Sequence, residues 1–441
     1  MVMAGSHRSD EPTGGDNDRP LSDRLARAEE LLRRGETEAA NAIVTGALAA
    51  TPRDADALLL RGLIANRRRD HTAAIEALRG SLAVRPDAPR AWLALGNAHA
   101  RAGEPAGAAD AYRETLAREP GWTDARFNLG LMQKRLGDRA GALRSFHAAW
   151  VRDPLLFDAA RQCVATIAES VRAGDPIEAA PVFALRDANP SNLTVSIVIC
   201  SIDDARHDRA VALYRRLFAA VRHEVVAIRN ARSLAEAYDW ALRRSVADVI
   251  VLSHDDVDIL APDFAARLFD RLRAFDVVGV AGSTRMDGPA LGWSGHPHLR
   301  GWITHRAHDD PAWRVDVLDP RPVAGGITLL DGVLLAGRRE AFRAVSFDAV
   351  SFDGFHLADL DWSYRAAQAG FRLGVAADLL LVHASRGNYD VTWQRYADRF
   401  CAKHATGRSA AQASSFFGAT LDDPQQVRAF FALLGSLDRP A

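Results

Sequence analysis

The chain has 441 residues, a formal net charge of -1, and 48% hydrophobic and 25% charged residues. That length suits two or three globular domains, and the near-neutral charge argues against a general nucleic-acid binder. Three widely spaced cysteines, Cys163, Cys200 and Cys401, suggest neither a disulfide framework nor a zinc cluster, and they fit a reducing, cytoplasmic compartment. No apolar run approaches the length of a membrane span, and the first residues lack the apolar core of a signal peptide.

Residues 1–19 are polar and Gly-rich and are expected to be disordered. A repeat follows. Pro52, Pro86, Pro120 and Pro154 recur every 34 residues, and other columns keep the same step: Ala40, Ala74, Ala108 and Ala142; Val44, Leu78, Tyr112 and Phe146; Gly62, Gly96 and Gly130. Several columns sharing one period mark a helical array. Glycine and alanine allow two helices to approach, the large residue fills the gap beside them, and proline ends the second helix. Four units over about 21–156 and a covering helical stretch give a repeat domain over 20–185.

These residues resemble the tetratricopeptide repeat, the third unit (Trp92, Leu95, Gly96, Ala108, Tyr112, Pro120) most closely. The resemblance implies a helical superhelix whose groove takes a protein or peptide. The alternative is a scaffold that only packs or oligomerises through its repeats.

Asp187–Asn192 reads as a linker, and the second domain is expected over 193–441. Apolar strands at Thr194–Cys200, Glu224–Ile228, Val249–Leu252 and Val277–Gly282 alternate with amphipathic helices at Arg209–Val221, after Ser233, and at Pro262–Phe275. That alternation predicts an α/β domain with a mostly parallel, doubly wound sheet. No G-x-G-x-x-G or G-x-x-x-x-G-K-[ST] follows a strand, which disfavours a dinucleotide oxidoreductase or a P-loop nucleotidase.

The third strand exits on Asp255 and Asp256, with Asp258 beyond. Open α/β sheets bind ligands at such exits, and adjacent carboxylates there repel each other unless a cation is near. The other reading is a solvated acidic turn. Asp203 and Asp204, at the exit of the first strand, offer acceptors for a base or ribose. The aromatic stretch 283–323, with Trp293, Trp302 and Trp313, reads as a loop or hairpin region offering ring faces to sugars, or as hydrophobic anchoring.

SIVIC, SLAEAYDWAL, HDDV, LDGVLLAGRREAF and FHLADLDWSYRAAQAGFRLGV together resemble a family-2-like inverting glycosyltransferase domain of the GT-A fold, over roughly Leu193–His404. The resemblance implies a nucleotide-sugar-dependent, hexosyltransferase-type enzyme using a divalent metal, Mn2+ or Mg2+. It implies nucleotide-sugar contacts from Cys200, Ser201, Asp203, Asn230, Ser233, His254, Asp255 and Gly332, and metal ligation by Asp256 and His383. His254 departs from the usual residue of its slot. His383 also reads as a strand-end histidine bonded to backbone. Asp359 takes the catalytic-base position and Asp361 a supporting one. Ala358 stands where the family usually has Glu. The expected function is transfer of a sugar to an acceptor hydroxyl or amide, the repeats recruiting a protein acceptor. The alternatives are synthesis of surface polysaccharide or lipid-linked glycan, or an inactive transferase-like scaffold.

Overall fold

A computed structural model describes residues 20–175, 192–201, 203–306, 312–385, 389–406 and 417–437. The expected disordered N-terminus and most of the linker lie outside the described residues. The chain divides into two compact units, residues 1–145 and 146–441.

Helices α1 (Leu21–Arg34), α2 (Thr37–Ala50), α3 (Ala55–Arg67), α4 (His71–Val84), α5 (Pro89–Ala102), α6 (Pro105–Arg118), α7 (Thr123–Arg135) and α8 (Arg139–Arg152) form four pairs. Their first helices begin at 21, 55, 89 and 123, the period read from the prolines. A Cβ at Gly62 would lie 2.5 Å from the Leu78 side chain, and one at Gly96 would lie 2.6 Å from the Tyr112 ring. The glycine column is therefore a close-packing requirement, met by the large-residue column exactly one half-repeat on. Each pair buries alanine and leucine: Ala40, Val44, Leu60 and Ile64 in one cluster, Ala74, Leu78 and Leu95 in the next. The division into units falls inside α8.

In the second unit α9 (Phe157–Ala173) packs with β14 (Phe417–Leu421) and α16 (Pro424–Ser436). The intervening elements are β1 (Thr194–Ser201), α10 (Asp204–Leu217), β2 (Arg222–Arg229), α11 (Leu234–Arg244), β3 (Val249–Ser253), β4 (Val257–Ile259), α12 (Phe264–Ala274), β5 (Val277–Gly279) and β6 (Ala281–Ser283). Then come β7 (Leu299–His305), β8 (Trp313–Val317), β9 (Val323–Ile327), β10 (Leu329–Leu330), β11 (Leu334–Arg338), α13 (Arg339–Ala344), α14 (Ala358–Gln368), β12 (Leu373–Ala376), β13 (Leu381–His383) and α15 (Val391–Lys403).

The main sheet has the order β2-β1-β3-β11-β5-β12-β9. It is mixed rather than mostly parallel. β1 pairs in parallel with β2 and β3, and β12 with β5; β11 runs antiparallel to both β3 and β5, and β9 antiparallel to β12. The cause is β11, which returns from a turn rather than from a crossover helix and inserts between β3 and β5. The expected strand Val277–Gly282 divides at Val280: β5 stays in the main sheet, and β6 joins a second one of order β10-β6-β7-β13-β4, onto which β8 and β14 are added. Region 283–323 is thus largely strand. β3 is buried at every residue, as its unbroken apolar run requires, and α10 and α12 cover one face with Tyr214, Phe264 and Leu268.

Candidate active site

The site forms where β1 and β3 end, beside the turn between β10 and β11. Tyr214 donates its hydroxyl to Ser253 at 2.6 Å, and the His254 N–H reaches the Val333 carbonyl at 3.1 Å, so the β3 exit is tied to the β10–β11 turn. Ser201, buried at the end of β1, donates to Asp255 Oδ2 at 2.5 Å. Cys200 lies beside it, its thiol pushed up to about 12 by burial and by the Asp255 charge.

Antiparallel pairing of β13 with β4 sets His383 opposite Val257, and the Ala384 N–H bonds the Asp256 carbonyl at 2.9 Å. That register carries the His383 Nε2 to 3.2 Å from Asp256 Oδ1; His254 Nδ1 lies 3.9 Å from the same oxygen. One ligand atom from each of His254, Asp256 and His383 lies within 4.8 Å of the others. Burial pushes the Asp256 carboxyl up, but the hydrogen bond with His383 and the two imidazoles outweigh it and hold it well below the usual carboxylate range. Burial, and then His383, hold His254 below its ordinary pKa, so that it offers a neutral nitrogen lone pair. Two imidazoles and one carboxylate are a donor set that fits a borderline divalent ion.

Across the turn, Asp359 stands in the first turn of α14. The preceding Leu357 is buried and held at φ 66°, a conformation costly for a branched side chain, and it turns the chain into the helix. The Gly332 N–H donates to Asp359 Oδ2 at 2.7 Å. Burial, with the nearby Asp331 charge, raises the Asp359 carboxyl to about 7, against the opposing backbone N–H groups of Leu360 and Gly332.

Asp361 is fully buried. It accepts from Arg365 Nε at 2.9 Å, with Lys403 Nζ at 2.6 Å and His404 Nε2 at 2.9 Å. These three groups occupy its carboxylate and fix α14 to α15.

The structure therefore brings together Cys200, Ser201, His254, Asp255, Asp256, Gly332, Asp359 and His383. Asp203 is exposed and caps α10, accepting the Arg206 N–H at 2.7 Å. Asn230 ends β2 at φ 53°. Ser233 is buried as the α11 cap, accepting from the Glu236 N–H at 3.1 Å. No hydrogen bond among the described residues joins Asn230 or Ser233 to the carboxylates of the site. Of the three tryptophans, Trp302 and Trp313 are buried, whereas Trp293 is partly exposed and packs edge-on against Trp393. Two features escape the sequence: His254 as a third member of the cation-type cluster, and Asp331 as the charge beside Asp359. The only signal for Asp331 is its place before Gly332 between two short apolar runs.

Residues 196–405 match the family model described as "Glycosyltransferase like family", and residues 25–89 and 67–124 match that of the tetratricopeptide repeat. The chain thus carries a tetratricopeptide-repeat region followed by a family-2-like glycosyltransferase domain. No curated protein matches it. Among solved structures, the chain is similar to "Crystal structure of MamA protein" at 20% identity and TM-score 0.31, covering 33% of this chain and 80% of that one. It is similar to "Crystal structure of YrrB: a TPR protein with an unusual peptide-binding site" at 22% identity and TM-score 0.33, over 35% and 80%. It is also similar to the Pseudomonas aeruginosa pilF structure at 19% identity and TM-score 0.32, over 34% and 69%. No helix of the described residues is long and apolar enough to cross a membrane.

Proposed function

We propose that the second unit is a divalent-metal-dependent, inverting glycosyltransferase of the hexosyltransferase type, using a nucleotide-sugar donor. The observation that carries this reading is the joining of two unlike groups at one sheet exit: the His254–Asp256–His383 cluster, and the Asp359 carboxyl, linked through the Gly332–Val333 turn. The family match spans both.

His254, Asp256 and His383 would hold the ion, manganese better than magnesium because two of three donors are imidazole. When bound, the ion neutralises charge on a leaving diphosphate. Asp255, oriented by Ser201, faces the donor's sugar or ribose. Asp359 accepts the proton of the acceptor hydroxyl: a carboxylate titrating near 7 is ionised in part at neutral pH and strong enough to act as a base. Gly332 positions it. Asp361 keeps α14 in place and takes no proton.

The repeats supply a separate surface, and a protein or peptide acceptor recruited there, in the cytoplasm, is the reading they support best. The test is product analysis with a panel of nucleotide sugars and manganese. NMR of the released or transferred sugar should show inversion at the anomeric carbon. Retention would overturn the single-displacement mechanism, and absence of any donor turnover would favour a scaffold.

A further inference from the structure

A cavity of about 500 Å³ opens beside the cluster, between α10 and the strands β4 and β13. Asp255, Asp256 and Asp258 line it on one side, and Arg209, Arg216 and Arg306 also line it. Arg209 and Arg216 are seven residues apart on α10, so they share a face about two turns long, with the small Ala212 between them. Arg306 follows β7, whose parallel register with β13 sets His305 beside His383. Its guanidinium lies over the Trp313 ring at 4.9 Å, which holds its plane at the cavity wall.

None of the three guanidinium groups forms an ion pair with a described residue, although three carboxylates line the same space. The cavity therefore keeps opposite charges apart rather than letting them collapse onto each other, and three unpaired cations facing one space suit a multiply charged anion. The volume is that of a small-molecule site.

We propose that this cavity is a phosphoryl-binding subsite in which Arg209, Arg216 and Arg306 meet the ligand's charge directly. The subsite is independent of the ion. It rests on the transferase reading only for which substrate brings the phosphate: the donor's diphosphate, or a phosphate on the acceptor.

The test is calorimetry with inorganic pyrophosphate in excess chelator. Wild type should bind it, more weakly as salt rises. The Arg209→Ala/Arg216→Ala double variant should bind at least 10-fold more weakly with an unchanged unfolding midpoint, and so should Arg306→Ala. Asp256→Ala should bind at least as well as wild type. No binding by wild type, or equal binding by the double variant, would overturn the subsite even where metal-dependent donor binding persists. Adding a nucleoside diphosphate with manganese identifies the source. Competition with pyrophosphate assigns the site to the donor's diphosphate, and simultaneous binding assigns it to a phosphate on the acceptor.

Discussion

Gly332 and Asp359 are in contact that leaves no room for a side chain: the Gly332 N–H donates to Asp359 Oδ2 at 2.7 Å, and a Cβ at Gly332 would lie 2.3 Å from that oxygen. Gly332→Ala must therefore displace the carboxylate. A misplacement of about 1 Å costs transfer on the order of 100-fold. Steady-state rates should show that loss while donor affinity, set by the other side of the site, stays near wild type.

Asp359→Asn keeps the size of the side chain but accepts no proton. General-base catalysis contributes about 100- to 10,000-fold. Transfer, or donor hydrolysis with water as acceptor, should fall within that range, with donor and metal affinity retained. Equal activity would place the base elsewhere.

The raised Asp359 pKa gives a pH dependence of definite sign. The base is active when deprotonated, so kcat/KM should climb with pH and level off above an apparent pKa of about 7. Stability runs the other way. The folded state holds this proton more tightly than the unfolded chain, so the contribution is fully present below the unfolded pKa and is lost as pH rises through about 7. Asp359→Asn should remove the rate inflection, which a pH–rate profile would read.

Asp361 has the opposite character. Burial works against its charge, but His404, Lys403 and Arg365 hold its carboxyl below the usual range. Its stabilisation is present above the unfolded pKa and lost as pH falls through the lower folded one. Removing one partner of a buried ion network costs about 3–5 kcal/mol. Asp361→Ala should lose stability of that order in urea unfolding. Asp361→Asn, which keeps hydrogen bonds, should lose less and change the apparent pKa of the rate little.

The repeats were legible because one packing problem recurs every 34 residues, and Gly96 against Tyr112 shows it directly. The β3 exit and the α14 start were legible for a similar local reason: apolar runs ending on carboxylates. The direction of β11 was not, since LLAGR reads alike in either orientation and only the β10–β11 turn reverses it. The break at Val280 was hidden because β5 and β6 are both apolar. His254 entered the ion cluster through the pairing of β4 with β13, and Asp331 came beside Asp359 across 28 residues of chain. Long-range register of that kind leaves no mark in local pattern. Conversely, Ser233 had a local role, capping α11, which the structure shows it filling.

The most direct measurement is calorimetry of a nucleotide-sugar panel against wild type and Asp256→Ala, each with manganese, with magnesium and with chelator. Wild type should bind at least one donor with manganese, less well with magnesium and not in chelator. At a donor concentration about 100-fold above Kd, binding should stabilise the fold by about 2.7 kcal/mol. Asp256→Ala should lose the metal-dependent affinity, and His254→Ala and His383→Ala should weaken it. Donor affinity that is the same with chelator as with manganese, or that survives unchanged in Asp256→Ala, would contradict a metal-dependent transferase built on this cluster.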